Sequence, residues 1–177
     1  MMATMEPIFT VGHSTRTIED FLTLLEQAGV TTLIDVRRFP GSRRYPHFSR
    51  DALADSLGRA GIHYIHEPDM GGRRRPQPDS PNTYWRSEQF RGYADHMNTP
   101  EFQAALARVM HRAASQRQAL MCSEAVPWRC HRQLIADALV ARGFDVFDLY
   151  DNGRLEPHIL NPAARMQPDG RLTYPGR

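Results

Sequence analysis

The hydrophobic positions of the chain change period several times. "PIFTVGHS" is a short β-rich run, and "TIEDFLTLLEQAG" after it sets Ile18, Phe21, Leu22, Leu25 and Ala28 on helical spacing. Thr17 and Asp20 read as a capping box and Gly29 as the stop. The β-branched run "TTLIDVRRF" follows, broken by "PGS". In "HFSRDALADSLGRAG" Ser49 is the expected N-cap, Phe48 and Leu53 the hydrophobic staple, and Gly61 the stop. "IHYIHE" is a third strand. "SEQFRGYADHM" predicts a helix, and "TPEFQAALARVMHRAASQ" a stronger one. There Thr99 caps, Pro100 sits in the first turn, and Phe102, Ala105, Leu106, Val109 and Ala113 form the buried stripe. "QALMCSE" is a fourth strand. A helix from about Trp128 to Arg142 turns Leu134, Ile135, Ala138 and Leu139 inward, and "FDVFDLYD" supplies a fifth strand.

Strands alternating with helices predict an α/β fold, with a mostly parallel sheet of about five strands covered by helices on both faces. At 177 residues the chain suits one domain. From about residue 152 it becomes a Pro/Gly-rich C-terminal extension, in which "PDG" between "ARMQ" and "RLTY" predicts a small hairpin. The unpatterned stretch "PDMGGRRRPQPDSPNTYW" is expected to be a mobile or ligand-ordered lid carrying Arg73 to Arg75.

Composition narrows the chemistry. All 22 Lys+Arg positions are arginine, which removes a phosphate-binding lysine of the Walker type, a Schiff-base lysine and a lysine general base. The net charge of +2 implies no globally basic surface, but Arg37 and Arg38, Arg43 and Arg44, and Arg73 to Arg75 are local basic clusters. No apolar run is long enough to span a bilayer, and "MMATMEPIFTVGHS" has neither a basic n-region nor a sustained apolar h-region. A soluble, cytoplasmic protein is expected. Two cysteines do not make a disulfide scaffold, and in a reducing cytosol they point to free, redox-active or metal-bound thiols.

In open α/β sheets ligands bind outside the carboxyl ends of the strands, and the chemistry-bearing residues fall there. The first strand ends in Gly12, His13 and Ser14, and the second in Asp35, Arg37 and Arg38 before "GSRR" with Arg43 and Arg44. The fourth ends in Cys122, Ser123 and Glu124, and Arg129, Cys130, His131 and Arg132 open the next helix. Plainer readings stand beside these. Ser14 and His13 suit a turn and helix cap, Asp35 suits an ion pair with Arg37, and single loop arginines are usually solvated. Cys130, four residues before Leu134, falls on the apolar stripe and reads as packing. Cys122, beside a helix N-terminus and arginines, is the better nucleophile, although Glu124 works against its thiolate.

A cysteine-phosphatase loop would place five residues between cysteine and arginine. Here six separate Cys122 from Arg129, and "SEAVPW" has no glycine to let the backbone wrap a phosphate. Cys122, Cys130, His131 and His13 could form a zinc site, but no C-x-x-C or H-E-x-x-H spacing appears, and no metal or other cofactor is assigned. A dithiol redox pair stays open, because spacing does not show whether the two sulfurs reach bonding distance.

"TVGHSTRTIEDFLTLLEQAGVTTLIDVRRFPGSRRYPHFS", "GIHYIHEPDMGGRR" and "MCSEAVPWRCHRQLIAD" together resemble the domain-of-unknown-function 488 family, from about Ile8 to Ile159. The resemblance implies a Rossmann-like α/β domain and an enzyme without an established reaction. The family's motif positions fall here on His13, Ser14, Asp35, Arg37, Arg43, Arg44, Cys122, Glu124, Cys130, His131, Arg132 and His158.

The expectation is a cysteine-dependent hydrolase or transferase acting on an anionic, phosphate-bearing substrate, a nucleotide or nucleic acid. Cys122, Glu124, His131 and His13 would do the chemistry, while Ser14, Asp35, Arg37, Arg43, Arg44, Arg129 and Arg132 would bind the substrate. The competing readings are a non-catalytic nucleic-acid-binding module, with Tyr45, Tyr84 and Trp85 as stacking groups, and a thiol redox or metal-binding protein.

Overall fold

A computed structural model describes residues 4–176 of the chain. Five parallel strands, β1 (Ile8–Gly12), β2 (Thr32–Asp35), β3 (His63–His66), β4 (Gln118–Cys122) and β5 (Val146–Leu149), and the antiparallel edge strand β6 (Leu155–Pro157) form one sheet in the order β3-β2-β4-β1-β5-β6. The helices are α1 (Ile18–Gln27), α2 (Arg50–Arg59), α3 (Glu88–His96), α4 (Pro100–Arg112) and α5 (Arg132–Ala141). The architecture is Rossmann-like α/β.

Strand alternation sorts the core into two layers. Phe9, Val11, Leu33, Ala119 and Met121 face α1 and α2, while Ile8, Ile34, Leu120 and Cys122 face α3, α4 and α5. The central strands β1 and β4 pair in register, with Gly12 opposite Cys122. From β1 the chain leaves through α1 on one face of the sheet, and from β4 through α5 on the other. Adjacent strands whose connections diverge in this way open a crevice at their carboxyl ends, the place where ligands bind in open α/β sheets.

Several local expectations need correction. α5 begins at Arg132 and not near Trp128, because Pro127–Arg129 form a single 3₁₀ turn and Cys130 is extended. Thr17 caps α1 through its side chain as read, whereas Ser49 stands at the cap position of α2 but binds the backbone of Ser42 instead. The stretch expected as a lid is fastened. Asp95 on α3 accepts hydrogen bonds from the Gln77 amide at 2.8 Å, Ser80 Oγ at 2.6 Å and Asn82 Nδ2 at 2.7 Å, and Gly92 lies against the Arg74 carbonyl. The C-terminal extension is also packed. The hairpin around "PDG" pairs β7 (Arg165–Met166) with β8 (Leu172–Thr173), and Tyr174 beyond it is buried with its hydroxyl donating to Asp137 at 2.7 Å.

Candidate active site

Beyond the paired ends of β1 and β4 the two segments stay together, as the His13 amide donates to the Cys122 carbonyl at 2.9 Å and the Ser14 amide to the Ser123 carbonyl at 3.0 Å. Ser14 turns the chain away in the left-handed region, at φ 50°. The approach is close enough to require glycine at position 12, where a Cβ would stand 1.6 Å from the Glu124 carbonyl oxygen and 2.8 Å from Arg132 Nη1.

Behind this junction lies Arg132, with only 1% of its surface exposed. Its Nη1 donates to Cys122 Sγ at 2.9 Å and to the Glu124 carbonyl at 2.6 Å, and its Nη2 donates to the Ala125 carbonyl at 3.0 Å. The carbonyls of the loop after β4 thus turn inward onto a buried cation, leaving Arg132 sealed under the cleft floor rather than open to a substrate. Burial alone would push the Cys122 thiol up. Hydrogen bonding from Cys130 and the charge of Arg132 outweigh it and bring Cys122 down to about 7. Cys130 is held well above its ordinary range, first by its hydrogen bond to Cys122 and then by burial. Of the two, Cys122 is therefore the one that ionises first, near neutral pH, and neither cysteine is in a disulfide.

Two neutral imidazoles complete the floor. His131 Nε2–H donates to the Val36 carbonyl at 3.0 Å, which fixes the tautomer and leaves Nδ1 as an acceptor 3.6 Å from Cys130 Sγ. Burial lowers His131 to about 4, against the opposing effect of the Val36 bond. His13 is likewise lowered to about 4 by burial. Its Nδ1–H donates to the Ser14 carbonyl at 3.0 Å, Nε2 remains an acceptor, and the ring stacks on Phe48 at 4.4 Å.

These groups open into a cleft of about 660 Å³. Of the expected residues, His13, Ser14, Arg37, Cys122, Glu124, Arg129, Cys130 and His131 line it. Asp35 does not. It is fully buried and holds Arg37 through two bonds of 2.9 and 2.8 Å, while Tyr64 donates to it at 2.5 Å. Arg43 and Arg44 are exposed outside the cleft, and of the Arg73 to Arg75 cluster only Arg73 reaches it. The Glu124 side chain is exposed at the mouth, and its buried function belongs to its carbonyl. Tyr45 lines the cleft, whereas Tyr84 and Trp85 stand elsewhere, with Trp85 packed between Phe90 and Tyr174.

Sequence reasoning missed the wall that α3 supplies, Gln89, Phe90 and Tyr93, because a helix face pointing at a site reads like any buried stripe. It also missed Phe39, which is 63% exposed, lies in the cleft and sits near the guanidinium groups of Arg38 and Arg73, at 5.4 and 5.9 Å. Its signal was present, a large apolar residue between "DVRR" and "PGS" where a loop would ordinarily be polar. Cys130 was assigned to the core stripe. It is buried, yet it also lines the cleft and touches the His131 imidazole beside it. Among the described residues no group of three or more His, Cys, Asp or Glu side chains is arranged to hold a metal ion, so the four-ligand zinc arrangement does not assemble.

The family model "Domain of unknown function DUF488" matches residues 17–139. No curated protein and no solved structure matches the chain.

Proposed function

The chain belongs to the DUF488 family, whose description names no reaction, so function has to be argued from the cleft itself; we propose that the protein is a cysteine-dependent enzyme, a hydrolase or transferase, acting on an anionic, phosphate-bearing substrate. One observation carries the reading: the Cys122 sulfur at the floor of an open cleft, held at 2.9 Å by a buried guanidinium that no substrate can reach. A cation that served only to bind substrate would face the cleft. One that stabilises a sulfur anion gives a nucleophile charged near neutral pH.

The walls suit the substrate class. Arg38, Arg73 and Arg129 line the cleft, against one carboxylate, Glu124, and Ser14 lines it too. Exposed Phe39 and the Tyr45 ring offer stacking faces, a pairing of flat ring and anion that fits a nucleotide or a nucleic-acid end. In this reading the arginines seat the phosphate, Cys122 attacks the electrophilic centre, and the acceptor nitrogens of His13 and His131 take hydrogen bonds from substrate or water. Free thiols suit a reducing compartment, and the cytoplasm is the location this reading takes. No helix among the described residues is long and apolar enough to cross a membrane.

The same rim favours one other reading, a nucleic-acid-binding module without turnover. The two are separated by screening nucleotides, phosphate monoesters and oligonucleotides by thermal shift and then following each binder for product. The enzyme reading expects Cys122→Ser to keep binding and lose turnover. Salt-dependent binding that never yields product, and is as strong in Cys122→Ser as in the native chain, overturns it in favour of the module.

A further inference from the structure

Cys130 does more than fill space under the cleft. Its sulfur accepts the Arg132 amide at 3.4 Å and lies 3.6 Å from His131 Nδ1, the Cys122 sulfur holds the guanidinium of the same Arg132, and each thiol shifts the titration of the other. Both sulfurs therefore contact one arginine, Cys130 at its amide and Cys122 at its guanidinium, and both cysteines line the one cleft. We infer that Cys130 is a resolving thiol: when a hydroperoxide oxidises Cys122, Cys130 captures it as an intramolecular disulfide that silences the site reversibly.

The chemistry balances with the hydroperoxide as the only oxidant. The Cys122 thiolate attacks the peroxide, an S–O bond forms as the O–O bond breaks, and the alcohol or water leaves after taking a proton from solvent. Cys122 is then a sulfenic acid, oxidised by two electrons. Its negative charge is gone, and with it the main reason that the Cys130 proton is held so firmly. Arg132 remains beside the second sulfur, so it now favours the Cys130 thiolate. That thiolate attacks Cys122 Sγ, the S–S bond forms, the S–O bond breaks, and hydroxide departs with the proton of Cys130 as water. Without a resolving thiol the sulfenic acid, facing peroxide in the cleft, would be open to further, irreversible oxidation.

A purely local alternative exists, since the Cys130 sulfur, one residue before the cap position held by His131, serves the first free amide of α5, that of Arg132. Serine distinguishes the two, because a hydroxyl can accept the same amide but cannot form the disulfide. The inference rests on the reading of Cys122 as a reactive thiolate, so the experiment measures both. The reduced full-length chain and its Cys130→Ser and Cys122→Ser variants are treated with stoichiometric hydrogen peroxide in the presence and absence of dimedone. Peptides are then mapped without reduction, iodoacetamide labelling of Cys122 is timed separately, and melting curves confirm that the variants fold. The expected result is a Cys122–Cys130 disulfide in the native chain, reversed by dithiothreitol, with little dimedone adduct. In Cys130→Ser the adduct on Cys122 should rise several-fold, and in Cys122→Ser Cys130 should stay reduced. Equal dimedone labelling of the native chain and Cys130→Ser, or fast iodoacetamide labelling with no disulfide, overturns the resolving role and leaves the nucleophile intact. Slow labelling of Cys122 at neutral pH overturns both.

Discussion

Arg132 Nη1 sits 2.9 Å from Cys122 Sγ, and among the described residues no carboxylate lies within ion-pair distance of that guanidinium. A buried cation without a counter-charge is costly, and the sulfur anion is the group placed to supply one. Arginine and thiolate are thus one electrostatic unit. The same pair that would activate the nucleophile also holds the loop after β4, through the Glu124 and Ala125 carbonyls.

The first prediction concerns how this unit titrates. Alkylation of Cys122 by iodoacetamide should rise with pH around a midpoint near 7. In Arg132→Met the midpoint should move up toward the ordinary thiol value of about 8.5. Because the folded value lies below the unfolded one, this group stabilises the fold fully above the unfolded value, and that contribution is lost as pH falls through about 7. Melting temperatures of the native chain and Cys122→Ser should accordingly diverge between pH 7 and 9. Matching alkylation midpoints in the native chain and Arg132→Met would show that the guanidinium does not hold the thiolate.

The close approach at position 12 gives a second prediction. A methyl group in Gly12→Ala would meet backbone on one side and the buried guanidinium on the other, and neither can move without opening the β1–β4 junction. The variant should lose about 3 kcal/mol or more of stability and slow Cys122 alkylation at neutral pH. Chemical denaturation and labelling check the two effects. A near-native melt would mean that the loop shifts freely.

A third prediction lies away from the cleft. His158 Nε2 bonds Asp137 at 2.7 Å, and its Nδ1 lies 3.9 Å from Asp148, which in turn accepts from Thr10 of β1 at 2.5 Å. Burial disfavours the charge on His158, but the two carboxylates outweigh it and raise the imidazole to about 9. A raised base stabilises fully below its unfolded value of about 6.5 and loses that contribution as pH rises through about 9. His158→Leu should therefore cost about 3 kcal/mol at pH 6 and less at pH 10, where the native histidine is also neutral. Denaturant midpoints at the two pH values decide it. An equal cost at both would mean that His158 acts through packing alone.

How much of this was legible beforehand depended on whether a signal was local. The helix stripes, the five parallel strands and the "PDG" hairpin follow from periodicity and turn chemistry confined to a few residues. Strand ends could be assigned to one edge of the sheet, which places His13, Asp35 and Cys122 together there; it is Arg37, held by the buried Asp35, that lines the cleft with the other two. The burial of Arg132 was not. Nothing in "RCHRQ" distinguishes an arginine that faces a ligand from one folded back under two carbonyls, a choice made by the close approach at Gly12. Cys130 misled for the same reason, since a buried position and a cleft-lining one coincide when the cleft floor is also the core. The ties of the stretch after Pro68 were not legible either, because they run to Asp95, outside the stretch and on the inner face of α3.

The final prediction separates the rim arginines from those that lie near them only in sequence. Arg73 and Arg129 are exposed and line the cleft, with side chains that donate no hydrogen bond within the described residues, whereas Arg38 is partly committed to the Arg73 carbonyl at 2.9 Å. Arg43 and Arg44 are as exposed but lie outside the cleft. If a phosphate-bearing ligand seats in the cleft, Arg73→Ala and Arg129→Ala should each weaken binding by about fivefold, the effect of one screened charge worth about 1 kcal/mol. Each should also flatten the salt dependence of oligonucleotide binding. Arg43→Ala and Arg44→Ala should leave both unchanged, and all four variants should melt within about 0.5 kcal/mol of the native chain, as surface substitutions do. Fluorescence titration of a labelled oligonucleotide and of a mononucleotide at two salt concentrations measures the difference. Equal losses from all four positions would mean that ligands meet a diffuse basic surface rather than this cleft, and Cys122 would then lie apart from whatever the arginines hold.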